Sequence, residues 1–66
     1  MSHLARVRVL TDHTQESLAK AAGVSKGTVQ RLERGHLPSA PTAVRIAHAL
    51  GYDDVLVVFP ELLEQP

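Results

Sequence analysis

The stretch TQESLAKAAGVSKGTVQRLERG, residues 14–35, contains two short runs in which apolar side chains recur at helical spacing. Gly23 lies between the runs, and glycine readily adopts the left-handed backbone that commonly ends a helix. The pattern therefore predicts one helix over 15–22 and a second over 26–34, joined by a tight turn. Helices this short are marginal in isolation, so we expect each to depend on packing against its neighbours.

One further helix is predicted on each side of this pair. Ser39 is a good N-cap for a helix that ends before Gly51. The predicted inner face of that helix is Ala43, Val44, Ile46, Ala47 and Leu50. Near the start of the chain, a helix over 3–10 is predicted by apolar residues at helical spacing, which are Leu4, Val7 and Leu10.

The segment that follows Gly51 has two interpretations. The run VLVVF at 55–59 is apolar throughout and rich in β-branched residues, so a fifth helix over 54–59 and a short strand both fit. The run has more apolar surface than one face of a small core takes up, and we expect the surplus to meet a partner. The residues predicted to form a dimer surface are Val55, Leu56, Phe59, Leu62 and Leu63.

Length and composition limit the possible classes of protein. The chain has 66 residues and no cysteine, which predicts one small domain over 1–66, with a core at 4–59 and a tail at 60–66, in a reducing cytoplasmic setting. No apolar run approaches the roughly 20 residues that span a membrane. A core this small is only marginally stable, so we expect dimerisation to support it.

Charge is unevenly distributed, although the formal net charge is zero. Residues 1–48 carry seven basic and three acidic side chains, whereas 49–66 carry four acidic side chains and no basic ones. Such a polarised molecule is oriented by a polyanion. In the predicted helix 26–34, the polar and cationic residues point away from the apolar positions, and a helix of this kind fits the major groove of DNA. An ordinary solvated surface also explains this face.

The spacing as a whole resembles the lambda-repressor-like, Cro-type helix-turn-helix family, also called the XRE family. The resemblance covers residues 4–59 and depends on the stretch 14–35, on Pro38 and on RIAHALGY at 45–52. It implies a compact all-α domain of five helices with the helix-turn-helix at 15–34. It also implies that the partner is double-stranded DNA. From the size and the residues of the chain, we expect a homodimer without a cofactor, a metal or a catalytic residue.

The resemblance implies roles for individual residues. Gln15 matches a residue that contacts a phosphate and braces the third helix. Arg31 is the best candidate for base reading, because a guanidinium pairs bidentately with guanine. Phosphate contacts are expected from Thr28, from Arg34 and from the amides at 35–36. The predicted DNA-binding set is Gln15, Ser25, Lys26, Gly27, Thr28, Gln30, Arg31, Arg34 and His36.

One further implied contact is structural, and two positions depart from the family pattern. Arg8 and Glu33 match an arginine and an acidic residue of the family, and we expect them to form a partly buried ion pair that joins the first and third helices. Gly27 stands where many relatives carry a base-reading side chain. His13 stands where the family usually has an apolar residue.

These features predict a sequence-specific transcriptional regulator, a repressor that binds a two-fold operator as a homodimer. Two alternatives remain. One is an antitoxin or restriction–modification controller whose tail binds a partner protein, and the other is a protein-interaction adaptor that keeps the fold without binding DNA. The sequence has no nucleophile–base pair or phosphate loop that indicates an enzyme. Four histidines lack the spacing of a metal site, namely His3, His13, His36 and His48.

Overall fold

A computed structural model describes residues 2–64 of the chain. The elements in chain order are α1 (His3–Leu10), α2 (Gln15–Ala22), α3 (Lys26–Glu33), α4 (Ala40–Ala49), α5 (Val55–Val58) and a 3-10 helix (Pro60–Glu64). The part of the chain that the structure describes contains no strand. The expected all-α architecture of five α-helices is confirmed, and the strand interpretation of 55–59 is wrong.

The first four helices begin at hydroxyl side chains, which fix where each helix starts. In each case the side-chain oxygen accepts a hydrogen bond from the backbone amide three residues later, at 3.0 to 3.4 Å. These N-caps are Ser2, Thr14, Ser25 and Ser39. At α2 the cap is reciprocal, because the Ser17 hydroxyl also accepts from the Thr14 amide at 2.9 Å. Each such cap stabilises its helix by about 1 kcal/mol.

Each of the first four helices is followed by a residue with positive φ, which is Asp12 after α1 and a glycine after α2, α3 and α4. Gly23 ends α2 with φ at 71°, and the Val24 amide then donates to the Ala19 carbonyl at 3.0 Å, which closes the turn into α3. Asp12 follows α1 with φ at 61° and is the one positive-φ residue other than glycine in the described chain. A residue with a Cβ is strained in this region.

The core lies among α2, α3 and α4, with α1 and α5 packed over it. The largest fully buried side chains are Leu18, Val29, Ile46, Val58 and Phe59. Val44 is exposed, so its predicted place on the inner face of α4 is wrong. The other four predicted positions are buried and form the i, i+3, i+4, i+7 stripe, which residue 44 does not share.

The described residues after Gly51, 52–64, are called the tail from here on, and they return to the core instead of presenting all of their apolar side chains outward. The Asp54 carboxylate accepts from the Leu56 amide at 2.9 Å and caps the short α5. Phe59 is only 1% exposed, so the prediction that it belongs to a dimer surface is wrong. Since α5 is only four residues long, its C-terminal end turns inward and Phe59 completes the core. Leu63 is 73% exposed.

Candidate nucleic-acid interface

Small side chains bring α2 and α3 close together around the turn at Gly23. Ala19 and Ala22 on α2 are buried in one cluster with Val29 and Leu32 on α3. A larger residue at 19 would separate the two helices, because interiors of this kind have no free volume. The pair therefore forms a rigid unit, and the orientation of α3 is fixed by α2.

An ion pair joins α1 to α3 and helps to fix the orientation of the α2–α3 pair relative to α1. Arg8 Nε lies 2.6 Å from Glu33 Oε2, and Arg8 Nη2 donates to Glu33 Oε1 at 3.3 Å. The two side chains are 15% and 10% exposed. Arg8 Nη1 also donates to the His13 carbonyl at 2.9 Å, so the guanidinium holds the loop between α1 and α2 as well. The sequence did not predict that third contact, because every residue has a backbone carbonyl and the residue type at 13 does not indicate that it accepts a hydrogen bond.

Gln15 is tied to the same carboxylate. Its Nε2 donates to Glu33 Oε1 at 3.0 Å, so the first residue of α2 is braced against the last residue of α3. The Gln15 amide lies at a surface depression lined by Arg8, His13, Thr14, Gln15, Glu16 and Lys26. The N-terminal ends of α2 and α3 therefore share one surface, where the helix dipoles and Lys26 favour an anion. Arg8 is already paired with Glu33, and Glu16 at the rim offsets part of the positive charge.

The outward side of α3 carries a stripe of three positions. Gly27, Arg31 and Arg34 follow the i, i+4, i+7 spacing that places side chains on one side of a helix. Both arginines are exposed, and so is Lys26 at the start of the helix. Gln30 is partly buried beside them. The acidic residue of α3, Glu33, is neutralised by Arg8, so the exposed charge of this helix is positive.

A chain of hydroxyl contacts runs along the first turn of α3. Ser25 Oγ and Thr28 Oγ1 lie 2.9 Å apart, and Arg31 Nη2 donates to Thr28 Oγ1 at 3.3 Å. Sequence reasoning assigned Thr28 to phosphate and missed its contact with Arg31. The i, i+3 spacing of Thr28 and Arg31 was the available signal, because such pairs are neighbours on a helix surface.

The loop after α3 differs from the expectation that its backbone amides at 35–36 contact phosphate. The Gly35 amide donates to the Leu32 carbonyl at 3.1 Å, and the His36 amide donates to the Arg31 carbonyl at 3.2 Å. Both amides therefore close the end of α3 and are not free for phosphate. The exposed His36 side chain remains available, beside a depression lined by Thr28, Arg31, Leu32, His36, Leu37, Pro38, Ser39 and Thr42.

Two kinds of site are not found within residues 2–64. No three His, Cys, Asp or Glu side chains there are grouped so that they could hold a metal ion. None of the described helices has the length and apolar character needed to cross a membrane.

Two short helices joined by a tight turn, with the second presenting a cationic outer side, define a helix-turn-helix DNA-binding domain. The family profile described as Helix-turn-helix matches residues 4–56 of the chain. The chain belongs to this family, which comprises DNA-binding regulatory domains of the lambda-repressor-like, XRE type. Searches of the curated proteins and of the solved structures found no match.

Proposed function

We propose that this DNA-binding regulator is a transcriptional repressor that binds a two-fold operator as a homodimer, with α3 in the major groove. The observation that supports this proposal best is the outer side of α3. Arg31 and Arg34 are exposed and on one stripe, while the carboxylate of Glu33 is turned inward onto Arg8. A cationic helix face without competing acid is suited to the negative potential of a groove.

Different side chains of this interface have different tasks. Arg31 reads a base, because its free guanidinium donors pair with O6 and N7 of guanine. Lys26 lies at the depression beside Gln15, where the two helix N-termini converge, and contacts a backbone phosphate. Arg34 and His36 contact phosphate further along the duplex. The phosphate contacts set the register of the protein on DNA, and Arg31 supplies sequence preference.

The proposed dimer surface is the part of the tail that stays outside the core. It comprises Leu56, which is partly buried, and the exposed Leu63, with Val55 and Leu62 packed partly against the core beneath them. The tail is acidic, whereas α3 is basic, so pairing through the tail leaves the basic faces free for DNA. Two half-sites about one helical turn apart then supply the affinity that one small domain lacks.

A matched pair of leucine substitutions tests this surface. Truncation at Gly51 is unsuitable, because it removes Val58 and Phe59 from the core. Leu63→Ser should dissociate the dimer, whereas Leu10→Ser, at a leucine that is 81% exposed on α1, should not. Sedimentation equilibrium measures the oligomeric state. Equal behaviour of the two variants would argue against a dimer surface in the tail.

Selection of bound fragments from a random DNA pool tests the proposed function as a whole. We expect enriched sites with two-fold symmetry, and binding that weakens steeply with salt because counterions are released from phosphates. Arg31→Ala should lower affinity for the selected site by about 1–3 kcal/mol and relax one position in each half-site. Lys26→Ala should weaken all sequences alike and lower the salt slope by about one unit. Absence of any salt-dependent DNA binding would instead indicate a protein-interaction adaptor.

A further inference from the structure

The outer stripe of α3 has an open position at its N-terminal end. Gly27 contributes no side chain, and the Arg31 guanidinium lies back over the space that it leaves. A Cβ at Gly27 would be 3.9 Å from Arg31 Nη1, and Arg31 Nη2 donates to Thr28 Oγ1 at 3.3 Å. Both ends of the guanidinium are therefore placed over the first turn of the helix.

The acceptor of that hydrogen bond is itself held in place. Thr28 Oγ1 contacts Ser25 Oγ at 2.9 Å, and the Thr28 amide donates to the same Ser25 oxygen at 3.1 Å. Thr28 is also β-branched and partly buried, and β-branched side chains have few χ1 choices. The hydroxyl thus extends the fixed geometry of the helix cap to the side chain of Arg31.

We propose that Thr28 is a positioning residue for Arg31 and thereby determines which base pair this regulator reads. The inference rests on the proposed function, since it assigns a task within the DNA-reading face. Thr28 engages one of the five N–H donors of the guanidinium, which leaves enough donors for a bidentate pair with guanine. The guanine is the one that faces the first turn of α3, at the opening left by Gly27.

Preorganisation is the physical reason for such an arrangement. An exposed arginine otherwise samples many rotamers, and ordering it on binding costs free energy. A side chain already directed to one place loses less on binding, and it also favours one base-pair position over the neighbouring positions. The Thr28 hydroxyl therefore affects sequence discrimination more than total affinity.

Two substitutions at the same position separate this role from a phosphate contact. Thr28→Val keeps the shape and the capped amide but removes the hydroxyl, and Thr28→Ser keeps the hydroxyl. Competition binding is measured with the selected duplex and with duplexes changed at each base pair in turn. We expect Thr28→Val to reduce discrimination about two- to fivefold at the one base pair that Arg31→Ala also relaxes. Thr28→Ser keeps the hydrogen bonds of the hydroxyl but not the β-branch, so it should lose clearly less discrimination than Thr28→Val.

A double-substitution cycle and a measurement on free protein complete the test. In an Arg31→Ala background, Thr28→Val should cause no further loss of discrimination. The heteronuclear NOE of the Arg31 Nε–H group in the DNA-free protein should fall more in Thr28→Val than in Thr28→Ser. Thermal unfolding of each variant checks that the fold is intact.

Several results would overturn the proposal. A uniform loss of affinity for all duplexes with Thr28→Val would make Thr28 a phosphate contact, and unchanged discrimination would leave it no role in reading. In both cases Arg31→Ala would still relax one base pair, so the proposed function would stand. If the wild-type protein bound no duplex in a salt-dependent manner, the proposed function and this inference would both fail.

Discussion

Replacement of Glu33 by glutamine removes a negative charge from the point where three helices meet. The Glu33 carboxylate on α3 accepts three hydrogen bonds of 2.6 to 3.3 Å, two from Arg8 of α1 and one from Gln15 of α2. Glutamine has nearly the same shape, but it offers the guanidinium only one acceptor oxygen and no charge. Glu33→Gln therefore leaves a largely buried arginine without its counter-ion.

The expected cost follows from the burial of the pair. Loss of one partner of a fully buried ion pair costs about 3–5 kcal/mol. The Arg8 and Glu33 side chains retain 15% and 10% exposure, which lets water compensate in part, so we expect about 2–4 kcal/mol. A domain of this length has a total unfolding free energy of about 3–10 kcal/mol. The melting temperature should fall by about 10–30 °C.

Circular dichroism during thermal and urea unfolding measures this effect. The control is Glu64→Gln, which removes the same charge from an exposed residue and should change stability by less than about 0.5 kcal/mol. The double variant Arg8→Met with Glu33→Leu should lose less than the sum of its single variants, because no uncompensated charge remains. If Glu33→Gln unfolds like the wild type, the ion pair does not stabilise the fold.

Three backbone substitutions test the remaining local claims, each by urea unfolding. Asp12→Gly should stabilise the protein by about 0.5–1 kcal/mol, because it removes the steric strain of a Cβ at a φ of 61°. A loss of stability would show that Asp12 is not strained. Gly23→Ala should destabilise it by about 1–2 kcal/mol, although nothing lies within 4 Å of the new methyl group, because φ there is 71°. Gly27→Ala makes the same chemical change at a helical φ, where the methyl group has only ordinary contacts, and should stabilise by up to about 1 kcal/mol. Equal effects at Gly23 and Gly27 would contradict the conformational explanation.

Local chemistry made the first four helices predictable from the sequence. Ser39 caps α4 as its hydroxyl suggested, and Gly23 adopts the left-handed conformation expected of it. Caps and helix ends depend on residues within one turn of each other, so a single sequence carries most of the information. The Arg8–Glu33 contact was available only through the family resemblance, because it joins residues 25 apart.

The tail and the end of α3 were less predictable for a physical reason. The run 55–59 is apolar on all sides, so no periodicity indicates which side chains turn inward. Phe59 enters the core because α5 ends after four residues, and that depends on the space left by the other helices. Likewise, the amides of Gly35 and His36 are used to close α3, which composition does not reveal.

Function and stability meet at Glu33. The carboxylate that neutralises Arg8 also holds the Gln15 amide at the surface where α2 and α3 begin. Loss of Glu33 therefore releases a proposed phosphate contact as well as destabilising the fold. The same carboxylate would weaken DNA binding if it pointed outward, and its inward pairing is what leaves the outer side of α3 cationic.

An NMR titration of the ¹⁵N-labelled protein with a DNA duplex from the selected pool addresses the proposed role of α3 most directly. We predict that the largest chemical-shift changes fall on Gln15 and on residues 26–31, and that the shifts of α5 residues 55–58 change little. A response confined to the tail, or one that leaves Arg31 and its neighbours unchanged at saturating DNA, would contradict the assignment of α3 as the DNA-reading helix.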